Sequence, residues 1–158
     1  MTRTHTVVDS PVGALTLVAD DGVLCGLYLP QRRHGPDSGT LGHSDPQGFD
    51  EVAGQLAEYF AGRRTEFTVP LAPQGTPFQR SVWDELTRIP YGQTRTYAEL
   101  ARAVGASTAV RAVGAANGRN PISIVVPCHR VVGSDGSLTG YGGGLDRKRY
   151  LLDLERAR

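Results

Sequence analysis

The sequence predicts an α+β fold, with a small N-terminal antiparallel-sheet domain that carries one helix and a mainly helical C-terminal domain. Three observations lead to this fold class. Short β-branched and apolar runs separated by turns fill the first thirty residues, and two marked helix starts stand in the second half. The charge balance also changes sign: residues 1–71 carry five basic and nine acidic side chains, and residues 72–158 carry twelve and seven. We therefore predict domains at residues 1–70 and 71–158.

Length and composition limit the class of protein. The 158 residues suffice for one medium domain or two small ones, and no apolar run is as long as a membrane span. The N-terminus, Met1–Asp9, has no apolar signal-peptide core, so we expect a cytoplasmic protein without a membrane partner. Cys25 and Cys128 show no disulfide-type spacing. No metal site is predicted, because the remaining histidines are scattered: His5, His34 and His43.

Three strands are predicted at the N-terminus, over Thr4–Val8, Ala14–Ala19 and Val23–Leu29. Their residues are β-branched or apolar, and the segments Pro11–Gly13 and Asp20–Gly22 separate them as turns. Because such short connections join neighbouring strands directly, the three strands form an antiparallel sheet.

A loop, a helix and a further strand follow. Pro30–Gln47 is rich in Gly, Pro, Ser and His and predicts an exposed loop. Phe49–Phe60 carries apolar residues near helical spacing and ends at Ala61–Gly62. Thr65–Val69 is a candidate for one more strand, and Pro70–Gln74 is a candidate linker.

The C-terminal half begins with two helix starts of the capping-box type. Thr76–Gln79 supplies an N-cap threonine, a proline at the first helical position and a glutamine at the third, and Pro90–Gly92 ends this helix. Thr96–Glu99 repeats the box and starts a helix through about Val104. A third helix is predicted to start from a cap at Ser107 or Thr108.

The second and third of these helices resemble a helix-turn-helix, because a three-residue turn, Gly105–Ser107, joins them. The third helix reaches roughly Asn117 and has almost no side-chain bulk except for Arg111. Such a slim helix fits either a DNA groove or close packing against another helix. Its small residues are Ala109, Ala112, Gly114, Ala115 and Ala116. The basic balance of this half favours a polyanionic partner, although a solvated basic surface explains it equally well.

The candidate nucleophile is Cys128, which follows the apolar run Ile122–Val126 and precedes His129 and Arg130. We interpret the run as a buried strand. A thiolate is the reactive form of cysteine, and neighbouring cations favour it. Adjacent residues of an extended chain point to opposite sides, so a water molecule is expected to bridge Cys128 and His129. The alternative is a cysteine that only fills the core, as we expect for Cys25.

Glu155 lies on the apolar side of the last helix, since it follows Leu151 and Leu152 by four and three positions. A carboxylate that faces a core needs a partner, and His129 is a candidate for a Cys-His-Glu relay. The alternative is a frayed C-terminus with Glu155 in water. Nearby, the glycine-rich segment Ser137–Gly144 is either a surface turn or a flexible loop whose Tyr141 walls a flat pocket.

The segment Asn120–Gly133 resembles the active-site signature of the O6-alkylguanine-DNA alkyltransferases, also called methylated-DNA–protein-cysteine methyltransferases. The resemblance extends from about Thr76 to Glu155 through Arg111–Gly114 and Gly143–Leu145. The N-terminal half fits the family only in outline, as its small sheet-and-helix domain.

The resemblance implies a role for each matched residue near the cysteine. Cys128 would be the alkyl acceptor in the active site, and His129 would take its proton through a water molecule. Glu155 would orient that histidine, and Asn120 would brace the helix-turn-helix against the active-site segment. Lys148 would support proton transfer to the substrate.

The same resemblance implies the substrate and DNA contacts. Tyr97 would crowd a DNA phosphate and donate a proton to the guanine ring, and Arg111 would fill the gap left by an extruded base. Tyr141 would wall the pocket, in which the backbone of Cys128, Val131 and Gly142 would contact the guanine edge. The predicted DNA contacts are Tyr97, Arg111, Ala112, Gly114 and Arg130.

The implied function is direct-reversal DNA repair. One alkyl group would pass from O6-alkylguanine in double-stranded DNA, or from O4-alkylthymine, to Cys128 after base flipping through the minor groove. Each molecule would act once and need no cofactor, as a monomer in solution, with clustering on DNA left open. Gly142 stands where some relatives have serine, and the run Gly142–Gly144 predicts a looser pocket loop that admits large alkyl groups.

Three other functions remain as alternatives. A non-catalytic binder of alkylation damage would lack the cysteine, so Cys128 argues against it. A cysteine hydrolase would explain Cys128, His129 and Glu155 but neither Arg111 nor the helix-turn-helix. A transcription regulator would usually present longer polar side chains to the major groove than the third helix offers.

Overall fold

The computed structural model describes residues 2–30, 35–141 and 143–156 and confirms the α+β fold. Three antiparallel strands form the N-terminal sheet: β1 (Arg3–Val8), β2 (Leu15–Asp20) and β3 (Val23–Tyr28). A short fourth strand, β4 (His43–Ser44), adds to β1 in parallel, so the strand order is β3-β2-β1-β4. The predicted strands therefore lie within one residue of the observed ones.

The first helix, α1 (Asp50–Phe60), also matches its prediction. The chain leaves it through Ala61 and Gly62, and Gly62 has a φ of +76°, which favours glycine. Val52, Leu56 and Tyr59 of α1 are buried in the same core as the leucines of the sheet.

Two predictions for the N-terminal half are wrong. The segment Pro30–Gln47 is not loop throughout, because β4 within it pairs with Thr4 and His5 at the edge of the sheet; Gln31–His34 lie outside the described residues. Thr65–Val69 forms no strand. There the side chain of Gln55 takes the place of a strand partner: its Oε1 accepts from the Thr68 N–H at 3.0 Å, and its Nε2 donates to Thr68 Oγ1 at 2.9 Å.

The C-terminal half contains α2 (Pro77–Leu86), α3 (Tyr97–Ala103), α4 (Val110–Gly118) and α5 (Leu145–Arg156). Two short parallel strands, β5 (Arg95–Thr96) and β6 (Val131–Val132), pair with each other. Both predicted capping boxes are present at the starts of α2 and α3. These boxes involve residues only three positions apart, so the local sequence determines them.

The helix pair α3–α4 is present, but its connection differs from the prediction. The turn spans residues 104–109 rather than three residues, and the N-cap of α4 is Ala109, with no side-chain hydrogen bond. Ser107 and Thr108 therefore do not cap this helix. Trp83 of α2 fixes α4 instead, since its indole N–H donates to the Ala116 carbonyl at 2.8 Å.

Backbone hydrogen bonds join the two halves along β3. The Ala72 N–H donates to the Leu24 carbonyl at 2.9 Å, so the predicted linker is bonded to the sheet. Further along β3, the Leu27 N–H donates to the Pro121 carbonyl at 2.8 Å and the Leu27 carbonyl accepts from Ser123 at 3.1 Å. The segment before Cys128 thus bonds to the edge of the N-terminal sheet through one isolated bridge, and one hydrophobic core runs through both halves.

Candidate active site

The segment before Cys128 is a buried turn and not the predicted strand. Ile124 has a φ of +71°, a rare conformation for a β-branched residue, and the Val126 N–H donates to the Ile122 carbonyl at 2.9 Å. Asn120, which is fully buried, holds this turn from inside. Its Nδ2 donates to the Val126 carbonyl at 2.8 Å, and its Oδ1 accepts from the Ile122 N–H at 3.0 Å.

Cys128 opens a single 3₁₀ turn, Cys128–Arg130, directly after this segment. The expected extended chain at this point is therefore wrong. The residue is 4% exposed, and its N–H donates to the Val126 carbonyl at 2.8 Å. Cys128 is thus held by the same turn that Asn120 braces, which fixes the position of the thiol.

His129 and Glu155 meet in the core, so the open question about Glu155 is settled: it is 1% exposed and not in water. His129 Nε2 lies 2.8 Å from Glu155 Oε2. Nδ1 of the same ring is buried and has no hydrogen-bond partner among the described residues. Because an ionised carboxylate only accepts, Nε2 carries the proton and Nδ1 presents a lone pair.

The electrostatics of the pair keep the histidine neutral. Burial lowers the pKa of His129, and the nearby charges of Arg130 and Lys148 lower it further, against the opposing effect of Glu155. Burial alone would raise the pKa of Glu155, but hydrogen bonds and charges from His129 and Arg130 outweigh it and bring it to about 2. The pair is therefore a neutral imidazole beside an ionised carboxylate.

Arg130 occupies a different place from the predicted one. The side chain is 7% exposed, its Nε donates to Glu155 Oε1 at 2.8 Å, and its Nη2 donates to Glu155 Oε2 at 3.0 Å. Nη1 donates to the Ile89 carbonyl at 2.7 Å. The structure therefore does not support Arg130 as a DNA contact; it compensates the buried charge of Glu155.

Tyr97 and Lys148 converge on one carbonyl at the start of the glycine-rich loop. The Tyr97 hydroxyl donates to the Thr139 carbonyl at 3.1 Å, and Lys148 Nζ donates to the same oxygen at 2.9 Å. Burial raises the pKa of Tyr97 and lowers the pKa of Lys148 to about 8. The Tyr97 hydroxyl and the Lys148 ammonium therefore both carry their protons at neutral pH.

The remaining predicted pocket residues border the same region. Val131 is fully buried, and its carbonyl accepts from Lys148 Nζ at 2.6 Å. The Tyr141 ring centre lies 6.0 Å from that nitrogen. Gly142 lies outside the described residues, so its predicted contact has no structural account. The next residue, Gly143, is buried and packs against Leu29.

The outer face of α4 carries the predicted DNA contacts Arg111 and Ala112, both exposed. Gly114 lies differently: it is half-buried, and a β-carbon there would stand 3.7 Å from the Tyr97 ring. Gly114 therefore faces the Tyr97 ring, with room for a β-carbon between them.

Sequence analysis missed two residues of the site. The Tyr59 hydroxyl, on α1, donates to Glu155 Oε2 at 2.6 Å, although the pattern of α1 marks Tyr59 only as a core residue. Asn117 is buried on α4, and its Nδ2 lies 3.5 Å from the Cys128 carbonyl. A polar residue on the buried face of an otherwise small-residue helix was the available signal for Asn117.

Comparison with known proteins gives matches over nearly the whole chain. Residues 77–157 match the family model for the DNA binding domain of 6-O-methylguanine DNA methyltransferase, and residues 4–73 match the model for its ribonuclease-like domain. The chain is 52% identical to the methylated-DNA–protein-cysteine methyltransferase of Mycobacterium tuberculosis, over 98% of this chain and 93% of that protein.

This chain belongs to the 6-O-methylguanine DNA methyltransferase family. The resemblance found in the sequence is therefore confirmed.

Other members of the methyltransferase family agree with this assignment. The methylated-DNA–protein-cysteine methyltransferase of Methanosarcina acetivorans is 47% identical over 96% of this chain and 97% of that protein. The crystal structure of Mycobacterium tuberculosis OGT in complex with DNA superposes with a TM-score of 0.91 at 50% identity, over 99% of this chain and 94% of that chain. The fold of this family member is thus the fold of a relative solved on DNA.

Two structural features bear on the family's possible cofactors and membrane contacts. Within residues 2–30, 35–141 and 143–156, no three His, Cys, Asp or Glu side chains stand together as metal ligands. Among the described helices, none has the length and apolar character that crossing a bilayer requires.

Proposed function

We propose that this protein repairs double-stranded DNA by moving one alkyl group from O6 of guanine to Cys128. The observation that carries the proposal is the buried pair His129–Glu155 next to Cys128, in which His129 Nδ1 has no hydrogen-bond partner among the described residues. Family membership and the DNA complex of a relative support the same substrate class.

The relay accounts for formation of the nucleophile. His129 Nδ1 takes the proton of the Cys128 thiol through one water molecule, and the imidazolium that forms is stabilised by Glu155. The carboxylate is held for this task by Tyr59, Arg130 and His129. The relay therefore raises the thiolate fraction of Cys128.

The displacement itself needs no cofactor. The thiolate attacks the alkyl carbon, the carbon–sulfur bond forms, and the carbon–oxygen bond to O6 breaks with its electron pair moving into the guanine ring. Tyr97 donates a proton to that ring, and the Lys148 ammonium, which donates to the same Thr139 carbonyl, stabilises the tyrosinate that forms. A thioether is not readily hydrolysed, so each protein molecule reacts once.

DNA reaches the thiol by base flipping. A base inside a duplex lies out of reach of Cys128, so the damaged nucleotide leaves the stack at a cost of a few kcal/mol. The slim outer face of α4 enters the minor groove, and Arg111 occupies the gap in the stack. Tyr97 crowds the adjacent phosphate, and the basic C-terminal half supplies the general attraction to DNA.

The chain's organisation supports two further parts of the proposal. Residues 1–70 act as the N-terminal domain and residues 71–158 as the domain for DNA binding and alkyl transfer, acting as a monomer. The cytoplasm is the proposed location, because no disulfide joins Cys25 and Cys128, as expected in a reducing compartment.

Intact-protein mass spectrometry tests the proposal. The protein is incubated with a short duplex that contains one O6-methylguanine, beside the variants Cys128→Ser and Cys25→Ser. We expect the mass of one methyl group on the wild type and on Cys25→Ser, and none on Cys128→Ser. Cys25 is a matched control because it is also buried, and burial raises the pKa of its thiol to about 11.

Other outcomes separate the alternatives. Duplex binding without any mass gain would replace alkyl transfer with damage binding. Turnover beyond one equivalent per protein would favour a hydrolase, since a hydrolase regenerates its cysteine.

A further inference from the structure

The glycine-rich loop near Cys128 is tied to the N-terminal half through Arg147. This arginine, at the start of α5, donates from Nε to the Val12 carbonyl at 2.9 Å and from Nη1 to the Pro30 carbonyl at 3.3 Å. Nη1 also donates to the Gly143 carbonyl at 2.9 Å. One guanidinium therefore joins two N-terminal turns to the loop that borders the pocket.

The N-terminal acceptors of Arg147 are themselves held in place. Val12 is buried in the turn between β1 and β2, where the Ser10 hydroxyl accepts from the Val12 N–H at 3.2 Å and donates to the Gly13 carbonyl at 2.6 Å. A β-carbon at Gly13 would lie 2.7 Å from Pro30 Cγ, so the two turns are in contact. Arg147 therefore binds to a fixed support.

Packing reinforces the same connection. Leu29, 3% exposed at the end of β3, lies directly behind Gly143, and a β-carbon on Gly143 would collide with its Cδ1 atom. The same β-carbon would lie 3.0 Å from the Tyr141 ring. The lack of a side chain at Gly143 thus serves close packing against the N-terminal half, in contrast to the looser loop expected from the glycine run.

The other end of the described loop is fixed within the C-terminal half. Tyr97 and Lys148 both donate to the Thr139 carbonyl. Tyr141 therefore lies between two anchors. One is the Thr139 carbonyl, held by Tyr97 and Lys148, and the other is Gly143, which Arg147 ties to the N-terminal half.

We infer that Arg147 is a positioning residue through which the N-terminal half sets the width of the alkyl pocket and hence the size of the alkyl group transferred. This inference rests on the proposed alkyl transfer and deepens it. None of the hydrogen bonds described for Arg147 reaches Cys128, His129 or Glu155. Arg147 acts by holding the Gly143 carbonyl on the N-terminal turns, and with it the loop that carries Tyr141. Releasing the clamp lets the loop move outward, which favours bulky groups over methyl.

The test is a ratio of two rates. Single-turnover alkylation of Cys128 is measured on one duplex that carries either O6-methylguanine or O6-benzylguanine, for the wild type, Arg147→Met and Arg149→Met. Arg149 is a matched control because it is exposed on the same helix. We expect Arg147→Met to raise the benzyl-to-methyl rate ratio by about tenfold or more, the scale on which pocket fit discriminates small apolar groups. Arg149→Met should leave the ratio unchanged.

Contrary outcomes are distinct. An unchanged ratio in Arg147→Met, even with both rates lowered, would reduce Arg147 to a structural role and overturn the inference. If Arg147→Met does not fold, Arg147→Lys decides in the same way, because lysine keeps the charge but cannot bond all three carbonyls. No alkylation by the wild type on either duplex would instead overturn the proposed function, and the inference with it.

Discussion

At the scale of single residues, four hydrogen bonds to one buried carboxylate organise the site. Glu155 accepts from Tyr59, from His129 and twice from Arg130. A carboxylate removed from water requires this many donors to remain ionised. The proposed chemistry at Cys128 therefore depends on a carboxylate buried behind His129.

The lowered pKa of His129 predicts an unusual order of events on acidification. The unfolded chain binds a proton at the ordinary histidine pKa of 6.5, whereas folded His129 binds one only at lower pH. The free energy of unfolding should therefore begin to fall below pH 6.5. The rate of alkyl transfer should fall later, as the pH passes the folded pKa of His129, because only the neutral ring accepts the thiol proton.

Parallel measurements of single-turnover rate and urea midpoint between pH 7.5 and pH 4.5 check this order. A rate that is already half lost above pH 6.5 would contradict the neutral buried histidine. Below about pH 4.5 Glu155 adds a second loss of stability, because its pKa is lower in the folded protein than in the unfolded chain. The ionised carboxylate stabilises the fold fully above the unfolded pKa of 4.5, and this stabilisation is lost as the pH falls toward 2.

The catalytic roles of Cys128, His129, Glu155 and Asn120 stay predictions. The sequence was sufficient to predict the pairing of His129 with Glu155, because the last helix places the carboxylate on its apolar side. It was not sufficient for Tyr59, which lies 96 positions before its partner Glu155. Only the folded chain brings such a pair together. The DNA contact predicted for Arg130 lacks structural support for the same reason. A basic residue beside a nucleophile suggests a DNA contact, and only the fold shows that its side chain is buried against Glu155.

At the scale of secondary-structure elements, α4 combines a buried face that supports the site with an outer face of small residues. Val113, Ala116 and Asn117 are buried, whereas Ala112 and Ala115 are exposed. We predict that Ala112→Glu strongly reduces alkyl transfer from duplex DNA, because a longer, negatively charged side chain would stand between α4 and the minor groove.

Reaction with the free base O6-benzylguanine distinguishes this effect from damage to the pocket. The rate on the free base should be unchanged in Ala112→Glu, since no groove is involved. Ala57→Glu, at an exposed position of α1, is the control and should leave both rates unchanged. Equal losses on duplex and free base would place the defect of Ala112→Glu in the site instead.

Elements defined by local signals were predicted well, and elements defined by distant partners were not. The capping boxes of α2 and α3 need only residues three positions apart. The apolar run Ile122–Val126 predicts a strand, but it forms a buried turn, because an apolar run is compatible with either structure. In this turn Ile124 has a positive φ, and the Asn120 side chain bonds to the backbone around it. Hydrophobic periodicity reveals neither feature.

At the scale of the whole molecule, the two halves share one core and a line of backbone hydrogen bonds along β3. We predict that they unfold in one transition. Urea unfolding followed by Trp83 fluorescence, which reports on the C-terminal half, and by amide resonances of β2 should give the same midpoint.

Leu27→Ala sharpens the test of this cooperativity. Leu27 belongs to the N-terminal half and is fully buried, so the substitution should cost about 2–5 kcal/mol. In a single cooperative unit, the midpoint seen by Trp83 falls as well. Two separated midpoints, or a Trp83 midpoint unaffected by Leu27→Ala, would show that the halves unfold independently.

The sharing of the core was beyond sequence analysis, which marked only the change of charge near residue 71. That change correctly separates an acidic half from a basic one. It carries no information on contacts, because a charge balance does not say which residues meet. The halves join through the backbone of Leu24 and Leu27 and through the bond from Tyr59 to Glu155.

The bond from Tyr59 to Glu155 has a consequence for chimeras made from this protein and its relatives. The reactive cysteine and its carboxylate lie in one half, but the tyrosine that completes the carboxylate's partners is encoded in the other. A recombinant gene that joins the first half of one relative to the second half of another would keep every residue of the motif around Cys128. It would still pair Glu155 with the first half of a different protein, so the site is expected to work only when the two halves match.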